Sequence, residues 1–561
     1  MARSQKILVT AAPPTPNGGL HIGHLSGPFL GADVFSRYQR LLGNEVLYLS
    51  YADDFQEYVQ RTALETGKTP ETVADEFTQS IQETLQLGLM SPDHFYSPRK
   101  NDIHRQWMQS LFTDLEQGGV VEIREVPTFY CPQCKTYLYE GLARGHCRHC
   151  HEMSDATTCE SCGIPQEPGE PTDAFCTQCH TLVDIRSEKR AFFQIEKMKE
   201  RLHQYYGERE YWRPRLKALC RQLMQTVKEA PISRRFSLGV PVPLDGMEGQ
   251  VLDTWYGGAA GYLSTACDWA RSVGDPDLWK PYWESENARW VAFLGFDCGF
   301  SHAMLYPAML MAQGRYQAPH TVITNEFYRL ENKKISTSRN HAIWGSDILQ
   351  AVQPDAVRFY LCQTAPEQEQ TNFDLTRFLQ LINDTLVDKW NAWLTQLLQQ
   401  AARLNTIDLS LASNERIHPE SLHLQKATLH AIKEVSRALS EENFSLQQAA
   451  REINGFVNQA LRHYYRVCKP YTNYLSDLTT NLAAARTLSI IAAPLLPEFA
   501  LSLRKALGED GYTRQMLWKD LFQARVLIKP SVPEKPFFTK VTEGELNKLL
   551  PNHSTGEIHV G

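Results

Sequence analysis

Four Cys-x-x-Cys pairs between positions 131 and 179 constrain the fold of this chain more than any other feature of its sequence. The pairs are Cys131/Cys134, Cys147/Cys150, Cys159/Cys162 and Cys176/Cys179. Each pair forms a turn that directs two thiolates to one side, and two such turns complete the tetrahedral sulfur set that Zn²⁺ prefers. The surrounding stretch contains many turn-forming residues, so we expect two zinc ions to order it. Because every ligand is a thiolate, no coordination position stays open, and both ions are predicted to be structural.

Two pairings of these four turns are compatible with their spacing. The middle two pairs are separated by a short loop, which favours a nested arrangement of two metal sites. The first ion would be bound by Cys147, Cys150, Cys159 and Cys162, and the second by Cys131, Cys134, Cys176 and Cys179. A sequential arrangement, in which the first pair joins the second and the third joins the fourth, is the alternative. The histidines beside the turns, His149, His151 and His180, are predicted not to bind metal.

The segments on both sides of the cysteine-rich stretch alternate between strand-like and helix-like patterns. Before it, apolar runs at Ile7–Ala11 and Val46–Ser50 alternate with helical patterns at Ala32–Leu42 and Pro70–Leu87. After it, Trp290–Met311 resumes the same character. Such alternation is typical of a parallel sheet with helical crossovers. We therefore predict an α/β Rossmann-type parallel sheet that a small zinc-binding insertion splits into two halves.

From about residue 376 onward the sequence pattern is helical. A wide apolar stripe over Phe378–Leu404, with similar patterns over Leu439–Val467 and Leu478–Leu507, predicts an all-α helical bundle. A chain of 561 residues is long enough for several domains. The predicted division is a first catalytic half at 1–118, a connective insertion at 119–245, a second catalytic half at 246–320, a signature-loop region at 321–375, a helical domain at 376–525 and an extended tail at 526–561.

Composition and charge argue against several classes of protein. The formal net charge is −7, so the chain lacks the overall basic surface of many nucleic-acid binders, although local clusters such as Arg234-Arg235 and Lys333-Lys334 can suffice. The first residues enter a strand without a signal-peptide core. The most apolar late stretch, Leu488–Leu501, contains Pro494 and Pro497 and is too short to span a bilayer. We expect a cytoplasmic protein without a membrane partner.

The first predicted strand is followed by a Pro- and Gly-rich turn that contains two histidines. The turn runs from Pro13 to His24, and a helical pattern begins at Leu25. Its position places the imidazoles of His21 and His24 at a helix N-terminus, where backbone N–H groups attract phosphate. Two imidazoles there can donate hydrogen bonds to a phosphoryl group whose charge grows in a transition state. The turn is therefore predicted to bind phosphate.

A second polar segment, Lys334-Ile335-Ser336-Thr337-Ser338, follows a predicted strand at Thr321–Thr324. Together with His21-Ile22-Gly23-His24, it resembles the paired signatures of the class I aminoacyl-tRNA synthetases, which hold ATP from two sides. The resemblance is closest to the methionyl-tRNA synthetase family in its archaeal and eukaryotic style, and it runs from Ile7 to about residue 525. It also rests on the four cysteine pairs, the small insertion and the segments Ala32-Asp33-Val34, Ser301-His302 and Tyr306-Pro307-Ala308-Met309-Leu310.

The resemblance implies a ligase that joins methionine to tRNA through an aminoacyl-adenylate, with ATP and Mg²⁺. The implied catalytic residues are His21, His24, Lys334, Ser336 and Ser338. The implied ATP-binding residues are Asn17, Gly18, His21, Gly23, His24, Lys334 and Thr337. The implied amino-acid-binding residues are Ala12, Pro13, Thr15, Asp53, Trp255, Gly258, Tyr262, Cys298 and His302. Within this set, Asp53 would hold the α-ammonium group, and the aromatic residues would surround the thioether, since sulfur contacts ring edges favourably.

Several positions depart from the family pattern. Pro13 and Thr15 stand where the family usually has Leu and Tyr, and Cys298 stands where it has Ile. Phe55-Gln56-Glu57 replaces a family His-Gly-Thr or Tyr-Gly-Thr, and Gly258-Ala259 replaces Ala-Pro. One methylene already discriminates between substrates by about 1–3 kcal/mol, so several changes can alter specificity. Two alternatives stay open: a divergent paralogue that activates another amino acid or an analogue, and a non-catalytic synthetase-like zinc protein that binds RNA.

The resemblance also implies that the helical domain reads a tRNA anticodon. The family Asn–Arg pair is absent at the aligned positions, so the predicted anticodon contacts are Trp390, Asn391, Gln396 and Tyr471. Tyr471 follows Pro470 where the family has Trp after Pro, and a Tyr ring can stack on an unpaired base as Trp does. Relatives that dimerise do so through an appended C-terminal domain that has no counterpart here, so the protein is predicted to be a monomer.

Overall fold

A parallel sheet of five strands forms the centre of the catalytic region. We describe the fold from a computed structural model, which covers residues 4–156, 158–159, 161–166, 169–335, 341–409, 418–468, 475–509, 517–523 and 525–551. The spatial order of the strands is Thr321–Asn325, Arg289–Gly295, Lys6–Ala11, Glu45–Tyr51 and His94–Tyr96. All neighbours in this sheet pair in parallel. The predicted α/β sheet is therefore confirmed.

Alternating side chains of the first strand enter two different cores. Ile7 and Val9 pack on the face that continues into the helical bundle, whereas Leu8 packs on the opposite face. Helices cover both faces, because parallel strands need crossover connections. The helices of the catalytic region are Ile22–His24, Leu30–Leu41, Glu57–Thr66, Pro70–Leu87, Asp102–Gln117, Thr254–Ser272, Lys280–Trp283, Tyr306–Gln313, Gly345–Ala351 and Pro354–Gln363.

The insertion between the two halves of the sheet contains both strands and helices. Its main sheet is antiparallel and consists of Ala230–Pro231, Asp184–Phe193, Val121–Cys131 and Thr136–Tyr137. A smaller sheet contains Ala143–His146, Met153–Asp155 and Thr172–Cys176, and two helices follow at Lys199–Gly207 and Pro214–Thr226. The sequence analysis did not foresee the long strand Asp184–Phe193, because its first residues are exposed and charged and its apolar residues come together only at its end.

The C-terminal region is a bundle of helices, as predicted. Its helices are Leu375–Gln380, Ala392–Ala401, Pro419–Ala438, Leu446–His463, Leu475–Ile491 and Pro497–Leu507. The stripe over Phe378–Leu404 does not form one regular helix, because Leu381–Asn391 adopts wider π-helical turns between the first two of them. A π-helical segment shifts the face that the following residues present.

The tail packs against this bundle with buried side chains. Phe538 and Leu546 are at most 1% exposed. The amide of Asn391 donates to the carbonyl of Phe538 at 2.6 Å and accepts from its N–H at 3.1 Å. These contacts hold the tail against the bundle at Phe538, and a short helix, Glu543–Asn547, follows. Among the described residues, no helix is long and apolar enough to cross a membrane.

Candidate active site

A cavity of about 470 Å³ opens at the carboxyl ends of the central strands. Ligands of open α/β sheets bind at this edge of the sheet. Its walls come from the turn after the first strand, from Asp53, from the start of helix Thr254–Ser272, and from Cys298 and His302. The predicted site residues that line the cavity are Ala12, Pro13, Thr15, Asn17, Gly18, His21, Gly23, His24, Asp53, Trp255, Cys298, His302 and Lys334.

The two histidines of the turn form a stacked pair with defined tautomers. Their ring centroids are 3.7 Å apart, with 13° between the planes. The Nδ1 atom of His21 accepts from the backbone N–H of Gly23 at 3.1 Å, and Nδ1 of His24 accepts from the backbone N–H of His21 at 3.2 Å. Because both Nδ1 atoms accept, the hydrogen bonds assign the proton of each neutral ring to Nε2.

Burial keeps both rings neutral. It lowers the pKa of His24 to about 4. Burial and the neighbouring His24 lower the pKa of His21 well below its usual value. Each ring therefore offers an uncharged Nε2–H donor near neutral pH, and positive charge must come from elsewhere in the site.

The second signature segment reaches the same cavity. Lys333–Lys334 pairs with the strand Tyr328–Leu330, and Ile335 approaches the position where Gly23 would carry a Cβ atom. The Nζ atom of Lys334 lies 5.5 Å from the centroid of the Phe327 ring. Lys334 thus places a cation at the rim of the cavity. Ser336, Thr337 and Ser338, which were predicted to contact ATP, lie outside the described residues.

Backbone hydrogen bonds join the two signatures. The N–H of Ile22 donates to the carbonyl of Ile343 at 3.0 Å, and the N–H of Gly345 donates to the carbonyl of Leu20 at 2.7 Å. These bonds fix the histidine turn against the chain that follows the second signature. The histidine turn and the chain at residues 343–345 are therefore held side by side, although they lie far apart in the sequence.

Asp53 contributes a carboxylate to the inner part of the cavity. Its backbone N–H donates to the carbonyl of Pro14 at 3.0 Å, and its Oδ2 accepts from Nε2 of Gln56 at 2.7 Å. Burial raises the pKa of Asp53 to about 7, despite the hydrogen bond from Gln56. The carboxyl group is therefore set to exchange its proton for a cationic ligand near neutral pH.

Trp255 is held by the side-chain carboxyl group of Glu140, which the insertion supplies. Its indole Nε1 donates to Oε1 of Glu140, and its backbone N–H donates to Oδ1 of Asp253 at 2.9 Å. The fully buried guanidinium of Arg234 lies 2.6 Å from Glu57, 3.6 Å from Glu140 and 3.7 Å from Asp253. Burial and the adjacent Glu57 raise the pKa of Glu140 well above its usual range. The guanidinium of Arg234 thus holds the side chains of Glu57, Glu140 and Asp253 together beside the cavity.

Two residues predicted to line the pocket lie behind its wall instead. The hydroxyl of Tyr262 is 2.9 Å from Nε2 of His302, and the residue is fully buried. Gly258 packs against Tyr306, whose ring occupies the space that a side chain at 258 would need. Neither residue lines the cavity described here. Tyr262 therefore orients His302, while Tyr306 takes the place in the wall that we had predicted for its neighbours.

The eight clustered cysteines form two groups of four. One group contains Cys131, Cys134, Cys176 and Cys179, and the other contains Cys147, Cys150, Cys159 and Cys162. Sulfur pairs within them are 3.4 to 3.9 Å apart. A tetrahedron of Zn–S bonds of about 2.3 Å requires sulfur separations of about 3.8 Å. Both groups therefore fit a tetrahedral ion, and they follow the nested arrangement that the short middle loop favoured.

The first of these groups is connected to the cavity through a short chain of contacts. Thr177 lies between Cys176 and Cys179, and its backbone N–H donates to the carbonyl of Leu142 at 3.0 Å. Its hydroxyl donates to the carbonyl of Gly141 at 2.9 Å. Gly141 follows Glu140, which accepts the hydrogen bond from Trp255. The cysteine cluster thereby fixes the turn that positions a cavity wall.

The structure corrects two of the predicted anticodon contacts. Trp390 is 1% exposed and lies in the bundle core, and Asn391 is 7% exposed and holds the tail. Neither side chain is accessible to a nucleotide in this structure, because the bundle core covers the ring of Trp390 and the tail occupies the amide of Asn391. Gln396 is half-buried, with its amide 3.5 Å from the hydroxyl of Tyr465. Tyr471 lies outside the described residues.

The sequence analysis missed cavity residues that come from distant segments. The insertion contributes Glu140, Asp155 and Thr158, although we had assigned it a purely structural role. Gln56 and Thr254 also line the cavity. The position of Gln56, three residues after Asp53 in a segment that departs from the family pattern, was the one signal that pointed to it.

Comparison with known proteins agrees with this geometry. A family model described as "tRNA synthetases class I (M)" matches residues 7–398. The chain is 28% identical to the methionine–tRNA ligase of Thermoplasma acidophilum over 510 residues, which cover 90% of this chain and 92% of that protein. It is 29% identical to the methionine–tRNA ligase of Dehalococcoides mccartyi over 552 residues, covering 96% and 98%.

A solved structure shares the fold. The methionyl-tRNA synthetase of Mycobacterium tuberculosis bound by methionyl-adenylate superimposes with a TM-score of 0.75 at 18% identity, covering 95% of this chain and 100% of that one. At this identity the likeness concerns the fold alone. The family model, in contrast, extends from the first strand of the sheet into the helical bundle. We conclude that this chain belongs to the class I tRNA synthetases of the methionine type.

Proposed function

We propose that this protein activates methionine with ATP and transfers the methionyl group to tRNA. The observation that carries the proposal is a single cavity that joins a neutral histidine pair to a carboxylate and an aromatic wall. In the first step, a carboxylate oxygen of methionine attacks the α-phosphorus of ATP, and the bond to the bridging oxygen of pyrophosphate breaks. In the second, a hydroxyl of the terminal adenosine of tRNA attacks the carbonyl carbon, and AMP leaves.

The histidine pair stabilises the phosphoryl group in this proposal. The Nε2–H groups of His21 and His24 donate hydrogen bonds to oxygens of the α-phosphate, whose charge grows as the carboxylate approaches. The rings carry no charge, so Lys334 supplies positive charge to the departing pyrophosphate, and Mg²⁺ that accompanies ATP would supply the remainder. Asn17, Gly18 and Gly23 let the nucleotide approach the turn closely, and the hydroxyl groups of Ser336, Thr337 and Ser338 complete the contact.

The other end of the cavity holds the amino acid. The carboxylate of Asp53 binds the α-ammonium group, and Trp255 and His302 flank the side chain. Burial lowers the pKa of His302 to about 4, so the ring beside an apolar thioether is uncharged. Ala12, Pro13, Thr15 and Cys298 form the remaining surface near the substrate. Tyr262 and Gly258 act from behind this wall.

Activation of a different amino acid is a second candidate function. It is favoured by Thr15 and Cys298, which make this part of the wall smaller and more polar than the Tyr and Ile of the family pattern. A smaller wall residue leaves space for a larger or more polar side chain. The two candidates share one chemistry and differ only in the amino acid that supports pyrophosphate exchange.

We propose that each cysteine group holds one structural zinc ion. The ions would be bound by all-thiolate sets, and their role is to order the insertion, including the turn at Glu140 that contacts Trp255. For the macromolecular partner, we propose that tRNA contacts the bundle near Gln396 and Tyr471. The protein is proposed to act as a cytoplasmic monomer, which light scattering coupled to gel filtration tests.

Amino-acid-dependent exchange of labelled pyrophosphate into ATP tests the proposed function. Wild-type protein is expected to support exchange with methionine and to prefer it over the other nineteen amino acids. His21→Ala and His24→Ala are expected to reduce exchange by two orders of magnitude or more. His203→Ala is the matched control, because His203 is an exposed histidine of the Lys199–Gly207 helix.

The outcomes separate the candidates. Exchange with another amino acid but not with methionine supports the second candidate function. No exchange with any amino acid, together with retained tRNA binding, removes the enzymatic proposal and favours a non-catalytic RNA-binding protein.

A further inference from the structure

Gln56 lies beside Asp53, and the proposed roles of the histidine pair and the aromatic wall give this side chain no function. It begins the turn into helix Glu57–Thr66, but its side chain makes no capping hydrogen bond to that helix. Instead, its Nε2 donates to Oδ2 of Asp53 at 2.7 Å. The residue is 6% exposed and lines the cavity. Its side chain therefore contacts Asp53 at the cavity and does not cap the helix.

The other end of the same amide lacks a hydrogen-bond partner among the described residues. The Oε1 atom of Gln56 is buried and unpartnered. The structure turns the NH₂ group of this amide toward Asp53, and this is the orientation that the ionised form of Asp53 requires, because a carboxylate only accepts hydrogen bonds. A buried carbonyl oxygen without a partner is unfavourable unless a ligand supplies the donor.

The charges around this amide favour a cationic donor. The carboxyl groups of Asp53, Asp54 and Glu57 lie nearby, and two cations face them: the buried Arg234, and Arg99, whose Nε lies 3.9 Å from Asp54. Tyr51, Tyr306 and Cys298 also face Asp53, and burial keeps all three protonated and neutral by raising their pKa values. An entering ammonium group would thus meet one acceptor from Asp53 and a second from Gln56.

We propose that Gln56 recognises the α-ammonium group of the amino acid through Oε1 while it orients the Asp53 carboxylate through Nε2. This inference rests on the proposed amino-acid-activating function and adds to it a residue that stands where the family pattern has glycine. Gln56 binds one N–H of the ammonium group, and Asp53 binds another. The pair discriminates amino acids from carboxylic acids that lack the amine, whichever side chain the pocket accepts.

Inhibition of methionine-dependent pyrophosphate exchange by two analogues tests the proposal. Methioninol keeps the ammonium group and lacks the carboxylate, whereas 4-(methylthio)butanoate keeps the carboxylate and lacks the ammonium group. In Gln56→Met, the KM for methionine and the inhibition constant of methioninol are expected to rise about tenfold or more. The inhibition constant of 4-(methylthio)butanoate is expected to change less than twofold. Gln60→Met is the control, since Gln60 lies one turn further along the helix and does not line the cavity.

A pH profile gives a second readout that a merely structural role would not move. The hydrogen bond from Gln56 lowers the pKa of Asp53, so its loss in Gln56→Met is expected to shift the midpoint of methionine binding to higher pH. Gln56→Glu places a like charge beside Asp53 and is expected to shift the midpoint in the same direction. This second variant keeps the test available if the first folds poorly.

Equal weakening of both analogues, or no change in either together with an unmoved midpoint, would overturn the inference. Failure of the proposed function is distinguishable from these results. If the proposed function is wrong, the wild-type protein itself shows no methionine-dependent exchange, whereas failure of the inference about Gln56 leaves wild-type exchange intact.

Discussion

Gly258 provides the sharpest test of how tightly this active site is packed. The residue lies inside helix Thr254–Ser272, where replacement of glycine by alanine ordinarily stabilises a protein by about 0.5–1 kcal/mol. Here a Cβ atom would lie 2.5 Å from Cζ of Tyr306 and would overlap its hydroxyl oxygen. Tyr306 is 3% exposed, so its ring can move away only toward the cavity that it lines. Overpacking of this kind costs about 1–3 kcal/mol and outweighs the gain in helix propensity.

Gly258→Ala is therefore expected to lower the free energy of unfolding by about 0.5–2 kcal/mol, measured by urea denaturation. It should also raise the KM for methionine, because the displaced Tyr306 ring moves toward the cavity that it lines. Gly455→Ala is the matched control, since Gly455 lies in helix Leu446–His463 with nothing within 4 Å of an added Cβ. The control should be stabilised. A Gly258→Ala variant that is as stable as Gly455→Ala would refute the packing argument.

Three further predictions concern titration, metal coupling and the tail. The KM for methionine should fall as pH rises from about 6 to 8. Asp53, with a pKa of about 7, loses its proton over this range and gains affinity for the ammonium group. A steady-state KM that does not change with pH would contradict this prediction. Thr177→Val removes a hydrogen bond between the cysteine cluster and the turn at Glu140. The KM for methionine should therefore rise, while the KM for ATP stays constant. Metal content, measured by atomic absorption, is the control. Asn391→Ala should lower the free energy of unfolding by about 1–3 kcal/mol and expose the tail to limited proteolysis; unchanged protease sensitivity would argue against the role of Asn391.

Local periodicity was sufficient to predict much of the fold. Pro70–Leu87 forms a helix with the predicted bounds, and its start is set by Thr69, whose hydroxyl accepts from the N–H of Thr72 at 3.2 Å. The strands around the histidine turn were likewise identified from short apolar runs. In each case the signal lies within a few residues, so no knowledge of distant contacts is needed.

The features that the sequence analysis did not predict depend on contacts between residues that are far apart in the sequence. Glu140 enters the cavity because a turn in the insertion packs against Arg234, and nothing near Glu140 in the sequence indicates this. Trp390 was predicted to contact the anticodon because it lies close to the positions where the family Asn–Arg pair is absent, although it also belongs to the apolar stripe over Phe378–Leu404. Its side chain is covered only when the tail and neighbouring helices assemble around it. Tertiary packing, which periodicity does not encode, decided these positions.

The buried cluster around Arg234 has a consequence for how this protein can change over generations. Arg234 faces Glu57, Glu140 and Asp253, and replacement of this single cation leaves buried negative charge uncompensated at a cost of about 3–5 kcal/mol. Few single substitutions there can survive selection, whereas neutral wall residues such as Thr15 and Cys298 can vary one at a time. Because Glu140 belongs to the insertion, the insertion and the catalytic sheet must be inherited together. Substrate preference can therefore change through single substitutions at Thr15 or Cys298. The part of the wall that the Arg234 cluster supports cannot change in this way, because loss of the cation destabilises the fold.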